Sequence, residues 1–163
     1  MTVAIVSRQR TRKVNARLLK QIANFLLSEL QIAEAELGII LVGETEMARV
    51  NKTFLNHKGS TDVITFDHRE GRAGSPLPAV GAHGVTRPTL HGELFICVDD
   101  AVVQAREFKT TWQSEVVRYL IHGVLHLLGH DDHAAVVRRK MKREENHLLR
   151  RLAKEFPLAR LAR

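Results

Sequence analysis

The densest group of potential metal ligands in this 163-residue chain lies in the segment IHGVLHLLGHDDH, residues 121–133. His122 and His126 are four positions apart in a helical pattern, so both imidazoles project from one helix face about one turn apart. Two ligands of a single ion need this spacing, whereas a histidine that only bonds within the core is usually solitary. The sequence therefore predicts that His122 and His126 bind a metal.

Spacing alone leaves the third ligand open. Gly129 ends the helical pattern in the manner usual for a helix C-terminus and lets the chain turn back over the histidine pair. A catalytic zinc typically keeps three protein ligands and one position for water, so one further side chain completes the site. The candidates that follow the glycine are His130, Asp131, Asp132 and His133.

The residue after the first histidine argues against a zinc peptidase. In the H-E-x-x-H motif of those enzymes, the glutamate takes a proton from the metal-bound water. Gly123 occupies that position here. A metal alone can bring the pKa of a bound water to about 7, so metal-assisted hydrolysis of another bond stays open.

Hydrophobic periodicity predicts the elements that must position these side chains. Strands are predicted over residues 2–7, 36–43, 61–67 and 92–98. Helices are predicted after a capping Asn15 and over residues 44–56, 99–108, 111–128 and 134–156, with Thr45 and Asp99 as further caps. The order βαβαββααα predicts an α+β fold, a small mixed sheet of about four strands with helices packed on it and the metal site on a central helix.

Length and composition predict a single domain over residues 1–163 that forms an ordinary core without disulfides. The lone Cys97 is predicted to be a small buried side chain, and the Gly- and Pro-rich residues 68–90 a long loop or flap. No run approaches the roughly 18 apolar residues of a membrane span, and the N-terminus lacks the charge order of a signal peptide. We therefore expect a cytoplasmic protein with no membrane partner.

The net charge of +7 is carried by the C-terminal segment, residues 134–163, which has ten basic and three acidic residues. Such asymmetry is typical of a protein that binds a polyanion, and nucleic acid is the leading candidate. The alternative is a solvated face of a terminal helix.

Three stretches are similar to motifs of one known family, the YbeY family of bacterial metal-dependent endoribonucleases. They are HGVLHLLG at residues 122–129, FLNHKGSTDVITFD at 54–67 and GELFICVDDA at 92–101. The resemblance extends from about residue 36 to residue 133. It implies a zinc-dependent endoribonuclease, with one zinc per chain, that prefers single-stranded RNA. It further implies maturation of ribosomal RNA, chiefly the 3′ end of the small-subunit RNA, and a part in ribosome quality control.

Departures from the family pattern affect two positions. The family's third histidine usually follows the second by six residues, where this chain has Asp132, with His133 one step later. We favour Asp132 because it keeps the register, because carboxylate oxygen binds zinc, and because a similar branch of the family carries aspartate there. An arginine usual before T-D-V is replaced by Leu55, and we predict that His57 and Lys58 take its role.

The resemblance and the residues together predict the following roles. His122, His126 and Asp132 hold zinc, with His133 as the alternative ligand. Proton transfer at the catalytic histidine pair falls to metal hydroxide or to an imidazole: His130 or His133 nearby in sequence, or His57 from another element. Thr61 and Asp62 shape the site in a turn or capping role. The phosphate contacts are Lys58, Arg138, Arg139 and Lys142.

Two other classes of function stay open: a metal-dependent hydrolase of another substrate, and a ribosome-assembly module whose metal is structural and has four protein ligands.

Overall fold

The computed structural model describes residues 1–69, 78–80, 86–130 and 132–163. The strands are β1 (Thr2–Ser7), β2 (Glu34–Val42), β3 (Val63–Asp67), β4 (Pro78–Val80) and β5 (Thr86–Cys97). The helices are α1 (Ala16–Glu29), α2 (Glu44–Leu55), α3 (Val98–Phe108), α4 (Trp112–Leu127) and α5 (Ala135–Glu155), followed by a 3-10 turn, Leu158–Leu161.

The sheet has the order β1-β2-β5-β3, in which the first three strands are parallel and β3 runs antiparallel to β5. This confirms the predicted α+β fold with a small mixed sheet. The prediction of a loop over residues 68–90 was wrong in part, because β5 begins at Thr86 and pairs there with β4. β5 starts in a local hairpin with β4 and continues from Thr89 alongside the distant strand β2, and the Gly- and Pro-rich composition of the segment did not reveal the strand. The other residues of that segment from 70 to 77 and from 81 to 85 lie outside the described ranges, and the flap stays a prediction.

Alternate residues of the central strands point to two separate cores, as the pleat of a strand requires. Ile39 and Leu41 belong to the larger core, which the sheet shares with α1, α4 and α5. Ile40 and Val42 point the other way, into a smaller core closed by Met47 and Val50 of α2. Helix α4 is thereby fixed on the better-covered face of the sheet.

Gly123 allows α4 to lie close against this sheet. A Cβ atom at this position would be 2.8 Å from Leu94 Cδ2 and 3.3 Å from Val63 Cγ2, both on the strands below. The helix begins at a Thr111 cap. It is followed by Gly129 with a φ of +94°, at the helix end that the sequence predicts. A glutamate at position 123, as in the peptidase motif, would therefore collide with the strands below α4.

Two of the predicted helix caps were wrong. Helix α2 begins after Gly43 rather than Thr45, and α3 begins after Cys97 rather than Asp99. Asp99 instead caps the neighbouring helix, since its Oδ2 accepts a hydrogen bond of 2.6 Å from the backbone N–H of Glu44. The Asn15 cap is confirmed by the 3.1 Å bond that its side chain accepts from the backbone of α1.

Candidate metal centre

The structure brings three potential ligand atoms together at the end of α4. The Nε2 atoms of His122 and His126 lie 3.0 Å apart. The chain returns after Gly129 and places Asp132 Oδ2 at 3.6 Å from His126 Nε2 and 3.9 Å from His122 Nε2. All three atoms lie within 4.8 Å of one another, so the group could hold a metal ion.

Asp132, rather than His133, is the side chain that the turn brings to the histidine pair. Asp132 is half-buried beside the two imidazoles, whereas His133 is exposed and does not belong to the group. Asp131 lies outside the described residues. The residue favoured by the register of the family motif, Asp132, is therefore the one that lies beside the histidine pair. That it binds a metal stays a prediction.

A buried carboxylate on α5 fixes the orientation of the first imidazole. His122 Nδ1 donates to Glu145 Oε2 at 2.9 Å, which leaves Nε2 as the ring nitrogen that faces His126 and Asp132. Glu145 is 4% exposed, and its other oxygen accepts a 3.0 Å hydrogen bond from Arg118 Nη1. A histidine held by a carboxylate in this way is the common arrangement behind a protein-bound metal.

Glu145 was not among the predicted site residues. Its signal was present in the inward register of α5, because the position lies four residues after Met141 and three before Leu148, both of which are buried. An acidic side chain among buried apolar neighbours needs a partner, and the pairing with His122 could have been sought there.

Surroundings shift the pKa values of the two imidazoles in opposite directions. Burial lowers the pKa of His122, but the hydrogen bond and charge of Glu145, with the charges of Asp62 and Asp132, outweigh burial and raise it. Burial and the neighbouring His122 lower the pKa of His126. The pair therefore favours a neutral His126 ring, the form of imidazole that binds metals. Burial raises the pKa of Glu145 itself, yet its bonds to His122 and Arg118 bring it below the usual value.

A cavity of about 740 Å³ opens beside the candidate ligands His122 and Asp132. Three of the predicted phosphate-contacting residues line it from α5: Arg138, Arg139 and Lys142. All three are exposed at the surface. The structure thus places a set of cations on one wall of the space that contains the candidate metal ligands.

The other predicted site residues lie elsewhere. His57 and Lys58 are exposed in the turn after α2 and are not among the described residues that line the cavity. The helix before them, α2, packs on the smaller core, whereas α4 packs on the larger one. His130 contributes a backbone hydrogen bond to the His126 ring, while its side chain does not line the cavity. The proton-transfer roles of His57 and His130 stay predictions.

The side chain of Asp62 forms hydrogen bonds with both of its chain neighbours. Asp62 Oδ1 accepts hydrogen bonds of 2.8 Å from the backbone N–H of Val63 and 3.3 Å from the Thr61 hydroxyl. Asp62 also lines the cavity, and its charge contributes to the raised pKa of His122. The carboxylate therefore adds negative charge beside the candidate metal ligands, and its role in shaping the site stays a prediction.

Arg69 is a second residue near the site that was not predicted. Its guanidinium pairs with Asp67 and donates a 2.8 Å hydrogen bond to the backbone oxygen of Leu127, the last residue of α4. The hydrogen bond from Arg69 holds the pKa of Asp67 below its usual value. Arg69 thus ties β3 to the helix end that precedes the Asp132 turn.

Comparisons with known proteins cover nearly the whole chain. A family model described as Endoribonuclease YbeY matches residues 4–153. A protein of that name from Syntrophotalea carbinolica is 33% identical over 156 residues, which is 94% of this chain and 97% of the relative. Another, from Salinibacter ruber, is 31% identical over 139 residues, or 85% of this chain and 84% of the relative. The solution structure of a Thermotoga maritima protein is similar with a TM-score of 0.60 and 25% identity, covering 94% of this chain and 91% of that one.

Across the described ranges, no helix combines the length and apolar character that crossing a membrane requires.

Proposed function

The chain belongs to the YbeY endoribonuclease family, and we propose that it is a zinc-dependent endoribonuclease that cleaves single-stranded RNA in the maturation of ribosomal RNA. One observation carries the proposal. His122, His126 and Asp132 converge at the edge of a cavity that His122 and Asp132 line, and Arg138 and other cations line its α5 wall. A cation-lined wall attracts the phosphate backbone to the place where a hydrolytic metal would act.

The donor set fits zinc. Two imidazole nitrogens and one carboxylate oxygen are ligands that zinc accepts, and three protein ligands leave a position for water. Glu145 supports the fit, because it holds the His122 ring with Nε2 towards the other two ligands. A bound zinc would supply electrostatic stabilisation of the scissile phosphodiester and a water with a lowered pKa.

The chain's own residues would bind and orient the RNA around that position. Arg138, Arg139 and Lys142 would hold phosphate groups by charge, without reading the bases. His130 follows the helix that carries both ligand histidines and is one candidate for moving a proton; His57, in the connection between α2 and β3, is another. Lys58 would contact phosphates outside the cavity.

Wider roles follow from the family. We propose that the substrate is the 3′ region of the small-subunit ribosomal RNA, that the protein acts on the ribosome and in its quality control, and that it works in the cytoplasm. The basic segment of residues 134–163 supports contact with ribosomal RNA. That residues 1–163 form one domain also stays a prediction.

The number of ligands supports an enzyme over a ribosome-assembly module. A structural zinc usually has four protein ligands, whereas the group found among the described residues has three. A hydrolase of a different substrate is disfavoured by the family and by the cation-lined wall.

A cleavage assay with metal analysis tests the proposal. The purified protein is incubated with single-stranded RNA and with DNA of the same sequence, and its zinc content is measured. We expect RNA cleavage and about one zinc per chain in the native protein, with loss of both in His126→Ala and Asp132→Ala. His147→Ala is the matched control, since this exposed histidine of α5 is outside the cavity.

Each outcome decides a separate point. Cleavage by a metal-free His126→Ala protein would overturn the metal-dependent reading. Loss of zinc in His133→Ala but not in Asp132→Ala would overturn the choice of third ligand. A fully loaded protein that binds RNA without cleaving it would favour the assembly module.

A further inference from the structure

The cavity has a second wall with a different chemistry. Gln104 and Phe108 line it from α3, one helical turn apart, so both side chains lie on the same face of that helix. The cations of α5 and the candidate ligand His122 line the same cavity. At about 740 Å³ the space falls within the usual range of ligand pockets and exceeds what a metal with a phosphate group would need.

Phe108 is an unusual lining residue because it is 62% exposed. Among the large apolar side chains exposed in the described part of the chain, it is the one that lines this cavity. Phe54 is similarly exposed, but its ring packs edge-on against Phe66 at 5.3 Å. The stability of the core does not account for this exposed ring, because a polar residue at the same position would leave the core unchanged. An exposed aromatic ring that lines a cavity together with cations indicates a binding surface.

A buried hydroxyl in the same cavity also points to a polar ligand. Tyr119 is 4% exposed, and its hydroxyl has no hydrogen-bond partner among the described residues. Burial, with the charges of Asp62 and Glu115, raises the pKa of this phenol, so it stays a neutral donor. A buried donor without a partner is costly and is usually satisfied by water or by a ligand.

We propose that the α3 wall is a nucleobase subsite in which Phe108 stacks on one unpaired base of the RNA. The Gln104 amide, which has both donors and an acceptor, lies within the same wall to bond the edge of that base. Tyr119 donates to a polar group of the same nucleotide deeper in the cavity. Phosphates on either side of the base meet the cations of α5, so the strand crosses the cavity between the two helices.

The inference rests on the proposed function and adds a physical origin for its strand preference. An unpaired base can leave its neighbours and stack on an aromatic side chain, whereas a base within a duplex is already stacked on both faces. Stacking is tolerant of sequence because every base has a π-face. The subsite therefore selects for single strands without selecting a sequence.

Fluorescence anisotropy with a labelled short single-stranded RNA tests the subsite on the full-length protein in EDTA, which prevents metal-dependent cleavage. We expect Phe108→Ala to weaken binding about 5- to 140-fold, as loss of one base–aromatic stack does elsewhere. Phe108→Trp should bind like the native protein, and Phe108→Leu should resemble the alanine variant because it keeps an apolar side chain without a π-face. Val103→Ala is the control, since Val103 is 57% exposed on the same helix but does not line the cavity.

An RNA with abasic positions separates stacking from a general loss of affinity. Native protein and Phe108→Ala should bind the abasic strand equally, and both should bind duplex RNA equally. Equal binding of the base-containing strand by native protein, Phe108→Leu and Phe108→Ala would overturn the subsite. The proposed function fails differently, by absence of RNA binding and cleavage in the native protein or by cleavage that persists in EDTA.

Discussion

Substituting glutamine for Glu145 tests whether the carboxylate behind His122 prepares the metal centre. The change keeps the size of a side chain that is 4% exposed and removes its negative charge. The amide oxygen can still accept one hydrogen bond, but it can no longer pair as an anion with Arg118 and with the Nδ1–H group of His122, at 3.0 and 2.9 Å.

The magnitude follows from the two bonds and from the role of the ring. Outer-shell partners of metal-bound histidines typically contribute 10- to 100-fold in metal affinity or activity. We therefore expect Glu145→Gln to weaken zinc binding about 10- to 100-fold. Because hydrogen bonds to charged groups contribute about 1.5–3 kcal/mol each, we also expect the free energy of unfolding to fall by a few kcal/mol.

Competition with a chromophoric zinc chelator measures the affinity, and urea unfolding followed by circular dichroism measures stability. Glu144→Gln is the matched control, since it removes the same charge one position earlier on α5 from a residue outside the cavity. Unchanged zinc affinity in Glu145→Gln, with the control also unchanged, would refute the view that this carboxylate orients a metal ligand.

Three other perturbations test the frame around the site. Gly123→Val would force Leu94 away from α4, where even a Cβ lies at 2.8 Å, and we expect a loss of about 1–3 kcal/mol or more in urea unfolding; native stability would contradict the close approach. Arg69 lowers the pKa of Asp67, so this carboxylate stabilises the fold above its unfolded pKa and loses that contribution as the pH falls; the unfolding free energy should drop less between about pH 5 and pH 3 in Asp67→Asn, and parallel curves would count against the pair. Burial raises the pKa of Cys97 to about 11, so its thiol should react with a disulfide reagent only after unfolding, and rapid reaction of the native protein would show that it is accessible.

Local signals in the sequence were sufficient to predict much of the candidate site. The i, i+4 spacing of His122 and His126 and the stop at Gly129 are properties of one helix and its end, and the structure confirms both. Asp132 came from the register of a family motif, and the turn carries it to the histidine pair. Short-range spacing therefore identified the two histidines on one helix, and the family resemblance identified the residue on the adjoining turn.

Features that depend on distant partners could not be predicted in this way. Asp99 has the side chain of a helix cap, but the fold presents it to α2 rather than to its own helix. Glu145 and Arg69 became visible as site residues only when their partners on α4 were known. The first half of β5 likewise pairs from Thr89 with the distant strand β2, while local composition there favours a loop. In each case the sequence contains a side chain or segment that can form the interaction, but the fold determines which partner it contacts.

Helix α5 contributes to both halves of the proposed chemistry. Its outer surface presents Arg138, Arg139 and Lys142 to the cavity, and its inner surface presents Glu145 to His122. An RNA strand that holds α5 in place would also hold the partner of a metal ligand, and a metal that fixes the His122 ring would restrain the helix that receives the RNA. Thermodynamic linkage requires such effects to be mutual, so zinc and RNA should raise each other's affinity by the same factor.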